Sequence, residues 1–267
     1  MPYAWTNGFR TWFAEAGQGP PVVFVHGHTF DSRMWRPQIA ALRDRYRTVV
    51  YDLRGHGRSE VPASGYWSTV YASDLRALLD ALGLERVTLV GNSVGGSAVV
   101  ELALASPDRV AALVLADSGL GFPPRTDELG DVHARMWEIT AARGIQPALE
   151  QVWLPSRFFD GARRRPEVFA RVRRMCLGYS GQGFRDPERA GRPMGHAHTR
   201  LAELRVPCLA IYGELEGPEV HHAADELLRV VPTAQRFVVP ASGHLSNLEE
   251  PELFNRELQR FLEQVPR

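Results

Sequence analysis

A serine able to act as a nucleophile lies in the segment Gly91-Asn92-Ser93-Val94-Gly95. The apolar run before this segment predicts a buried strand, and the small residues after Ser93 predict a helix. A serine on so tight a strand-to-helix turn is held in a strained backbone conformation, and the glycines on either side leave room for the helix to pack on the strand. Ser93 is then presented at the end of the strand. The amide of Val94 faces a position where negative charge could develop, so it is a predicted oxyanion donor.

Ser93 needs catalytic partners to act as a nucleophile. The Gly-x-Ser-x-Gly pattern alone also fits a glycine-rich turn without chemistry. A serine nucleophile requires a base within hydrogen-bond reach and an acid that orients this base. His244 lies in Ser242-Gly243-His244-Leu245, between the last predicted strand and the last predicted helix. In a parallel sheet this loop opens at the same edge as Ser93. We therefore predict that His244 is the base.

Two carboxylates are candidates for the orienting acid. Glu216 lies three residues after Gly213, in the loop that follows a predicted strand, and Asp117 ends the neighbouring predicted strand. The chain order Ser93, Glu216, His244 is a known order of serine, acid and histidine in triads of this kind. This order favours Glu216, and Asp117 stays open as the alternative acid. If Glu216 is the acid, Asp117 is expected to cap or brace the start of the long segment that follows it, residues 119–205.

The loop after the strand Pro21–Val25 is the predicted source of the second oxyanion donor. We assign this role to the backbone amide of His28, whose side chain could also line the pocket. His26 and His56 are interpreted as structural histidines. The pairs His196/His198 and His221/His222 lack spaced acidic or thiol partners, so no metal site is predicted.

Strands that alternate with helices must position these residues. After a pair of opening strands within 7–16, the strands expected are Pro21–Val25, 48–52, 86–90, Val110–Ala116, 206–212 and 235–239. Helices are expected at about 34–43, 68–82, 93–105, 219–230 and 251–264. This alternation predicts an α/β fold with a mostly parallel sheet that is covered on both faces.

A long insertion interrupts the alternation. Within residues 119–205, the segments around Asp131–Arg143, Gln146–Trp153 and Glu167–Leu177 have helical spacing, and 178–195 is expected to be irregular. No run in this insertion is typical of a core strand, so we predict a mostly helical cap over a core formed by 1–118 and 206–267. The tryptophans and phenylalanines of the insertion suggest an apolar substrate, although they could equally form the cap's own core. The run Arg163-Arg164-Arg165 is interpreted as a solvated face. The predicted pocket residues are Thr29, Phe30, Trp137, Trp153 and Leu245.

Composition narrows the functional class. The chain has 267 residues, of which 44% are hydrophobic, and its 31 basic and 31 acidic side chains give a formal net charge of zero. Neither nucleic acid nor a membrane is therefore expected as a partner. Cys176 and Cys208 do not form a disulfide framework, and the first residues do not resemble a signal peptide, so a cytoplasmic location is expected.

Several motifs together resemble the α/β-hydrolase superfamily along almost the whole chain, and most closely its small soluble esterases, lactonases and perhydrolases. The resemblance rests on His26-Gly27 with Met34-Trp35, on the turn 52–59, on Gly91–Gly96 and on Gly243-His244. The acid of the family is usually Asp at the position of Glu216, which leaves the acid assignment open. A serine nucleophile argues against the dehalogenases and epoxide hydrolases of this fold.

This resemblance implies an acyl-transfer mechanism on a small, ester-like substrate. His244 would take the proton of Ser93, an acyl-enzyme would form, and water would release the acid without a cofactor. The expected function is hydrolysis of a carboxylic ester or a lactone. The alternatives are a C–C bond hydrolase, a perhydrolase or a lyase on the same fold, or a small-molecule binder without turnover.

Overall fold

The computed structural model describes residues 2–121, 127–186, 188 and 197–266. Eight strands form one sheet in the order β1-β2-β4-β3-β5-β6-β7-β8. β1 and β2 pair as an antiparallel hairpin, β2 joins β4 antiparallel, and all further neighbours are parallel. The strands are β1 Tyr3–Thr6, β2 Phe9–Ala16, β3 Pro21–Val25, β4 Arg47–Tyr51, β5 Val87–Asn92, β6 Val110–Ala116, β7 Cys208–Gly213 and β8 Ala234–Val239.

Helices cover both faces of the sheet, because the central parallel strands present apolar side chains to both sides. In β3, for example, Val23 and Val25 belong to one buried cluster, and Val22 and Phe24 belong to the other. The helices outside the insertion are α1 Arg36–Leu42, α2 Ser68–Ala81, α3 Val94–Ala105, α8 Pro218–Val230, α9 Ser246–Glu249 and α10 Pro251–Leu262. The first cluster packs under α2, α3 and α8, and the second under α1 and α10.

The chain between β6 and β7 is helical wherever regular structure is described. It contains α4 Asp127–Arg143, α5 Ile145–Ala148, α6 Asp160–Arg163 and α7 Pro166–Cys176. One π-helical segment, Leu149–Trp153, and short 3₁₀ turns connect or follow them. Apolar side chains of α4, α5 and α7 join the same buried cluster as α1 and α10. The division into a core and a cap at 119–205 stays a prediction.

The structure confirms the predicted fold class and corrects some boundaries. The strands Pro21–Val25 and Val110–Ala116 are observed where they were predicted. The opening hairpin begins earlier than expected, at Tyr3, because Asn7 and Gly8 adopt positive φ angles and form its turn. Helical structure at 157–163 was not predicted. Part of the segment 178–195, which was expected to be irregular, lies outside the described residues. Within the described parts, every helix is too short or too polar to cross a membrane.

Candidate active site

The turn between β5 and α3 holds Ser93 in a conformation that the flanking glycines make possible. Ser93 has a φ of 52° and a ψ of −118°. A side-chain carbon on Gly91 would lie 2.4 Å from the carbonyl oxygen of Gly95, and one on Gly95 would lie 2.4 Å from that of Val25. Both glycines are therefore required by close packing of the helix on the strands. A non-glycine residue held at positive φ is a feature common at functional sites.

Backbone contacts fix Ser93 at the carboxyl edge of the sheet. Its amide donates to the carbonyl of Ala116 at 3.0 Å, and its carbonyl accepts from the hydroxyl of Ser118 at 2.8 Å. The loop after β3 also lies against this turn, because a Cβ on Gly27 would lie 3.3 Å from the Cβ of Ser93. Ser93 itself is half-buried. Ser118 was not identified from the sequence, and it braces the turn through the neighbouring strand.

His244 and Glu216 meet at the same edge of the sheet. Nδ1 of His244 lies 2.6 Å from Oε1 of Glu216, and these side chains are 10% and 3% exposed. The second oxygen of Glu216 accepts from the amide of Gly217 at 3.2 Å. The loop that contains Glu216 is held by its own turn, in which the Glu216 amide donates to the carbonyl of Gly213. The hydrogen bond between Nδ1 and Glu216 leaves Nε2 as the ring nitrogen of His244 that is not directed at a carboxylate.

The surroundings of His244 favour its protonated form. Burial of the ring opposes protonation, but the charge and the hydrogen bond of Glu216, with the charges of Asp117 and Glu219, outweigh this effect and raise the pKa of His244 above 6.5. The ring also packs against Phe158, with a centroid distance of 4.7 Å. A buried imidazole with a carboxylate on Nδ1 has its tautomer fixed and its imidazolium stabilised.

Asp117, the alternative acid, is engaged elsewhere. Oδ1 accepts from the amide of Gly213 at 3.0 Å, and Oδ2 accepts from the amide and the hydroxyl of Ser246 at 3.1 and 2.8 Å. The carboxyl is fully buried, and burial together with the charge of Glu216 raises its pKa well above 3.8. Asp117 therefore ties β6 to β7 and to α9, whereas the sequence suggested a brace at the start of the insertion.

The loop after β3 is anchored by its first histidine. Nδ1 of His26 lies 2.8 Å from the carbonyl of Gly27, and Nε2 accepts from the amide of Leu53 at 2.9 Å. Burial lowers the pKa of His26, so the neutral ring is favoured. His56 contacts the carbonyl of Arg54 through Nδ1 at 2.8 Å. Both side chains thus hold backbone, as expected for structural histidines.

The side chain of His28 points into aromatic surroundings. Its ring lies 5.1 Å from the rings of both Tyr179 and Phe184, and 5.9 Å from that of Trp153. His28 is buried, and three of its neighbours come from the chain between β6 and β7. Tyr179 and Phe184 were not identified from the sequence, since they follow α7 in a glycine-rich segment without helical spacing.

Four of the five predicted pocket residues are buried, and the fifth, Trp137, is partly exposed. Trp153 donates its indole N–H to the hydroxyl of Thr29 at 2.8 Å. Trp137 packs on Phe184 with a centroid distance of 5.9 Å and is partly exposed. Phe30 and Leu245 are buried in the same apolar cluster. Thr29 and Trp153 are therefore in direct contact. Trp137 contacts Phe184, which itself contacts His28, so the ring of Phe184 lies between Trp137 and the loop after β3.

Residues that sequence reasoning missed brace the loop of His244. Arg165, interpreted as part of a solvated face, is only 24% exposed and donates to the carbonyl of Ala241 and to Glu250. Glu249 is buried and accepts from the amide of Gly243 at 2.7 Å. Burial raises the pKa of this carboxyl. The interpretation of Arg165 was wrong because its partners lie 76 and 85 positions along the chain, beyond any local pattern.

The histidine pair His196/His198 lies only partly within the described residues. His196 is outside them, so the structure does not describe how the two histidines are placed relative to each other. Across the described ranges, the structure contains no group of three or more His, Cys, Asp or Glu side chains arranged to hold a metal ion.

Comparison with known proteins adds an independent finding. A family model described as the alpha/beta hydrolase fold matches residues 20–251. The carboxylesterase YbfK of Bacillus subtilis is 30% identical over 273 residues, which cover 97% of this chain and 86% of that protein.

Two solved structures are similar over nearly their full length. A thermophilic esterase from Thermogutta terrifontis superposes with a TM-score of 0.82 at 30% identity and covers 99% of this chain and 97% of its own. The enol-lactonase from Burkholderia xenovorans LB400 gives a TM-score of 0.86 at 25% identity, with 98% and 100% covered.

Proposed function

Because this chain belongs to the α/β-hydrolase family, we propose that it hydrolyses a carboxylic ester or a lactone through an acyl-enzyme on Ser93. The observation that carries the proposal is the 2.6 Å hydrogen bond between Nδ1 of His244 and Glu216, at the sheet edge that bears Ser93. A serine, a histidine and a carboxylate in this relation serve acyl transfer on several unrelated folds. The names of the relatives, carboxylesterase, esterase and enol-lactonase, support the same reaction class.

In the proposed mechanism, Ser93 attacks the carbonyl carbon while His244 removes the hydroxyl proton through Nε2. Glu216 stabilises the imidazolium that forms, and its bond to Nδ1 keeps Nε2 directed away from the carboxylate. The tetrahedral intermediate collapses when His244 protonates the leaving alkoxide. Water then attacks the acyl-enzyme by the same steps, which releases the acid and restores Ser93.

The oxyanion donors in this proposal are the amides of Val94 and His28. Val94 is the first residue of α3, so its amide lies at the positive end of the helix dipole. His28 belongs to the loop whose glycine approaches Ser93. Donors of this kind are each worth about 10²–10³-fold in turnover when they are preorganised.

The proposed substrate is small and largely apolar. Aromatic side chains from the chain between β6 and β7 lie against both His28 and His244. This arrangement supports a cap that covers the acyl or alcohol portion of the substrate. We also keep the cytoplasm as the proposed location, supported by two cysteines that are free and buried. Nucleic acid and membrane are not proposed as partners.

A panel of p-nitrophenyl esters of increasing chain length, with simple lactones beside them, tests the proposal. Wild-type protein should hydrolyse at least one member, and Ser93→Ala should not. Turnover of C–C substrates or acetate-dependent use of peroxide, without ester or lactone hydrolysis, would favour another reaction on this fold. Saturable binding without turnover in any assay would favour the binder.

A further inference from the structure

Thr29 links the loop after β3 to the chain between β6 and β7. Its hydroxyl accepts from the indole N–H of Trp153 at 2.8 Å and lies 3.3 Å from Sγ of Cys176. Thr29 is fully buried, and Trp153 and Cys176 are 5% and 0% exposed. Two separate helical segments thus converge on one hydroxyl, although these residues are 124 and 147 positions from Thr29 in the chain.

The backbone of Thr29 is in a conformation that its residue type does not favour. Thr29 has a φ of 65°, and Phe30 donates its amide to the carbonyl of Gly27 at 3.3 Å, which closes a turn with His28 and Thr29 at its centre. A positive φ at the third position of such a turn is usually supplied by glycine, and it is unfavourable for a β-branched side chain. The hydroxyl contacts therefore offset an unfavourable backbone and hold this turn in one shape.

The shape of this turn determines where the amide of His28 points, because His28 is the second residue of the turn. An oxyanion donor is effective at about 2.7–3.1 Å from the developing charge, so a displacement of a few tenths of an ångström weakens it. A hydrogen bond that fixes the residue next to the donor can therefore affect turnover without contact with the substrate.

We propose that Trp153 is a positioning residue, which sets the His28 amide for oxyanion binding through its hydrogen bond to Thr29. This inference rests on the proposed function. It assigns to the chain between β6 and β7 a part in transition-state stabilisation, in addition to covering the substrate. The ring of Trp153 also packs on Phe158 at 5.2 Å, and Phe158 packs on His244 at 4.7 Å, so Trp153 contacts Thr29 directly and is linked to His244 through Phe158.

Thr29→Val is the direct test, because valine keeps the shape and the β-branching and removes only the acceptor. Turnover of the preferred ester should fall about 10–100-fold with little change in KM, since the donor is displaced and not removed. Affinity for a trifluoromethyl ketone, which forms a tetrahedral adduct on the serine, should fall by the same factor as kcat/KM. Thr29→Ser, which keeps the hydroxyl, should have most of the wild-type turnover and most of the wild-type affinity for the ketone. Trp153→Phe removes the N–H from the other side and carries the same test if Thr29→Val does not fold.

Thr140→Val is the matched control, because Thr140 is a buried threonine of α4 whose hydroxyl has no hydrogen-bond partner among the described residues. This variant should keep wild-type turnover and wild-type affinity for the ketone. If Thr29→Val and Trp153→Phe fold and match the wild type in both measurements, the inference is wrong and Thr29 has only a structural role. If the wild type neither hydrolyses esters or lactones nor forms the ketone adduct, the proposed function fails, and this inference fails with it.

Discussion

Glu216 accepts the hydrogen bond of His244 over 2.6 Å, whereas the competing carboxylate of Asp117 directs both oxygens at Gly213 and Ser246. Both acids follow neighbouring parallel strands, Asp117 directly after β6 and Glu216 three residues after β7, so the sequence alone left the assignment open. The difference arises because Glu216 lies in the loop after β7 with a side chain long enough to meet Nδ1. In the proposed mechanism, Glu216 is therefore the acid, at a position where the family usually has Asp.

Glu216→Gln should lower turnover by about 10⁴-fold, the scale seen when the acid of another triad is amidated. The amide cannot stabilise the imidazolium, and it can bind His244 in the wrong tautomer. Steady-state kinetics with the preferred ester measure this effect, and circular dichroism confirms folding.

Asp117→Asn is the matched change at the other acid. Asn tolerates the positive φ of 47° at this position. The side-chain NH₂ of Asn would face a backbone amide or hydroxyl donor that now donates to the carboxylate, so two donors would oppose each other. The free energy of unfolding should therefore fall by about 1–3 kcal/mol. Turnover should fall far less than in Glu216→Gln. The opposite ranking, with both variants folded, would transfer the role of the acid to Asp117.

The pH dependence of kcat/KM should report His244. The base acts in its neutral form, so activity should rise with pH through a pKa above 6.5, because the carboxylates around the buried ring raise the pKa of His244. In Glu216→Gln the largest raising influence is removed, burial of the ring then dominates, and the residual activity should rise at lower pH. Rates from pH 5 to 9, with chemistry limiting, test this shift. A profile that is flat, or that does not move in the variant, would argue against His244 as the base.

Trp137 and Trp153 should differ in their effects on substrate choice. Trp137 packs on Phe184 and is partly exposed, so Trp137→Ala should change acyl-chain preference more than turnover of a small acetate ester. Trp153→Ala should also lower turnover of the acetate ester, because it removes the donor to Thr29. The ester panel measures both. Unchanged selectivity in Trp137→Ala would show that this side chain belongs to the apolar core of the insertion.

Gly95 should tolerate no side chain, because a Cβ there would lie 2.4 Å from the carbonyl oxygen of Val25. Gly95→Ala should lower the free energy of unfolding by about 1–3 kcal/mol through forced backbone shifts, and activity should fall with it. Gly130 of α4 is the control, since a Cβ there meets no atom of the described residues within 4 Å. Gly130→Ala should raise stability by about 0.5–1 kcal/mol, as measured by urea unfolding. Equal effects of the two changes would show that close packing at the turn is not what requires Gly95.

Local sequence patterns were sufficient to predict much of the fold. Pro21–Val25 and Val110–Ala116 were predicted with their observed bounds because they are continuous apolar runs with clear ends. The segment 157–163 was missed because it consists of a three-residue 3₁₀ turn and the four-residue α6, which are too short to show helical periodicity.

Contacts between distant parts of the chain could not be predicted in the same way. The bond between Trp153 and Thr29 and the bonds of Arg165 depend on how the chain between β6 and β7 folds back onto the sheet. The sequence identified Ser93, His244 and Glu216 as candidates because their chain order and strand-end positions carry local signals. It carried no signal for the side chains that hold their loops.

Covalent labelling with a fluorophosphonate, read by peptide mass spectrometry together with ester hydrolysis, tests Ser93 as the nucleophile. We expect one label per chain, on Ser93, with activity lost in proportion to labelling. Folded Ser93→Ala should take up no label and hydrolyse no ester. A label on another residue with Ser93 unmodified, or near-wild-type hydrolysis by Ser93→Ala, would contradict this assignment.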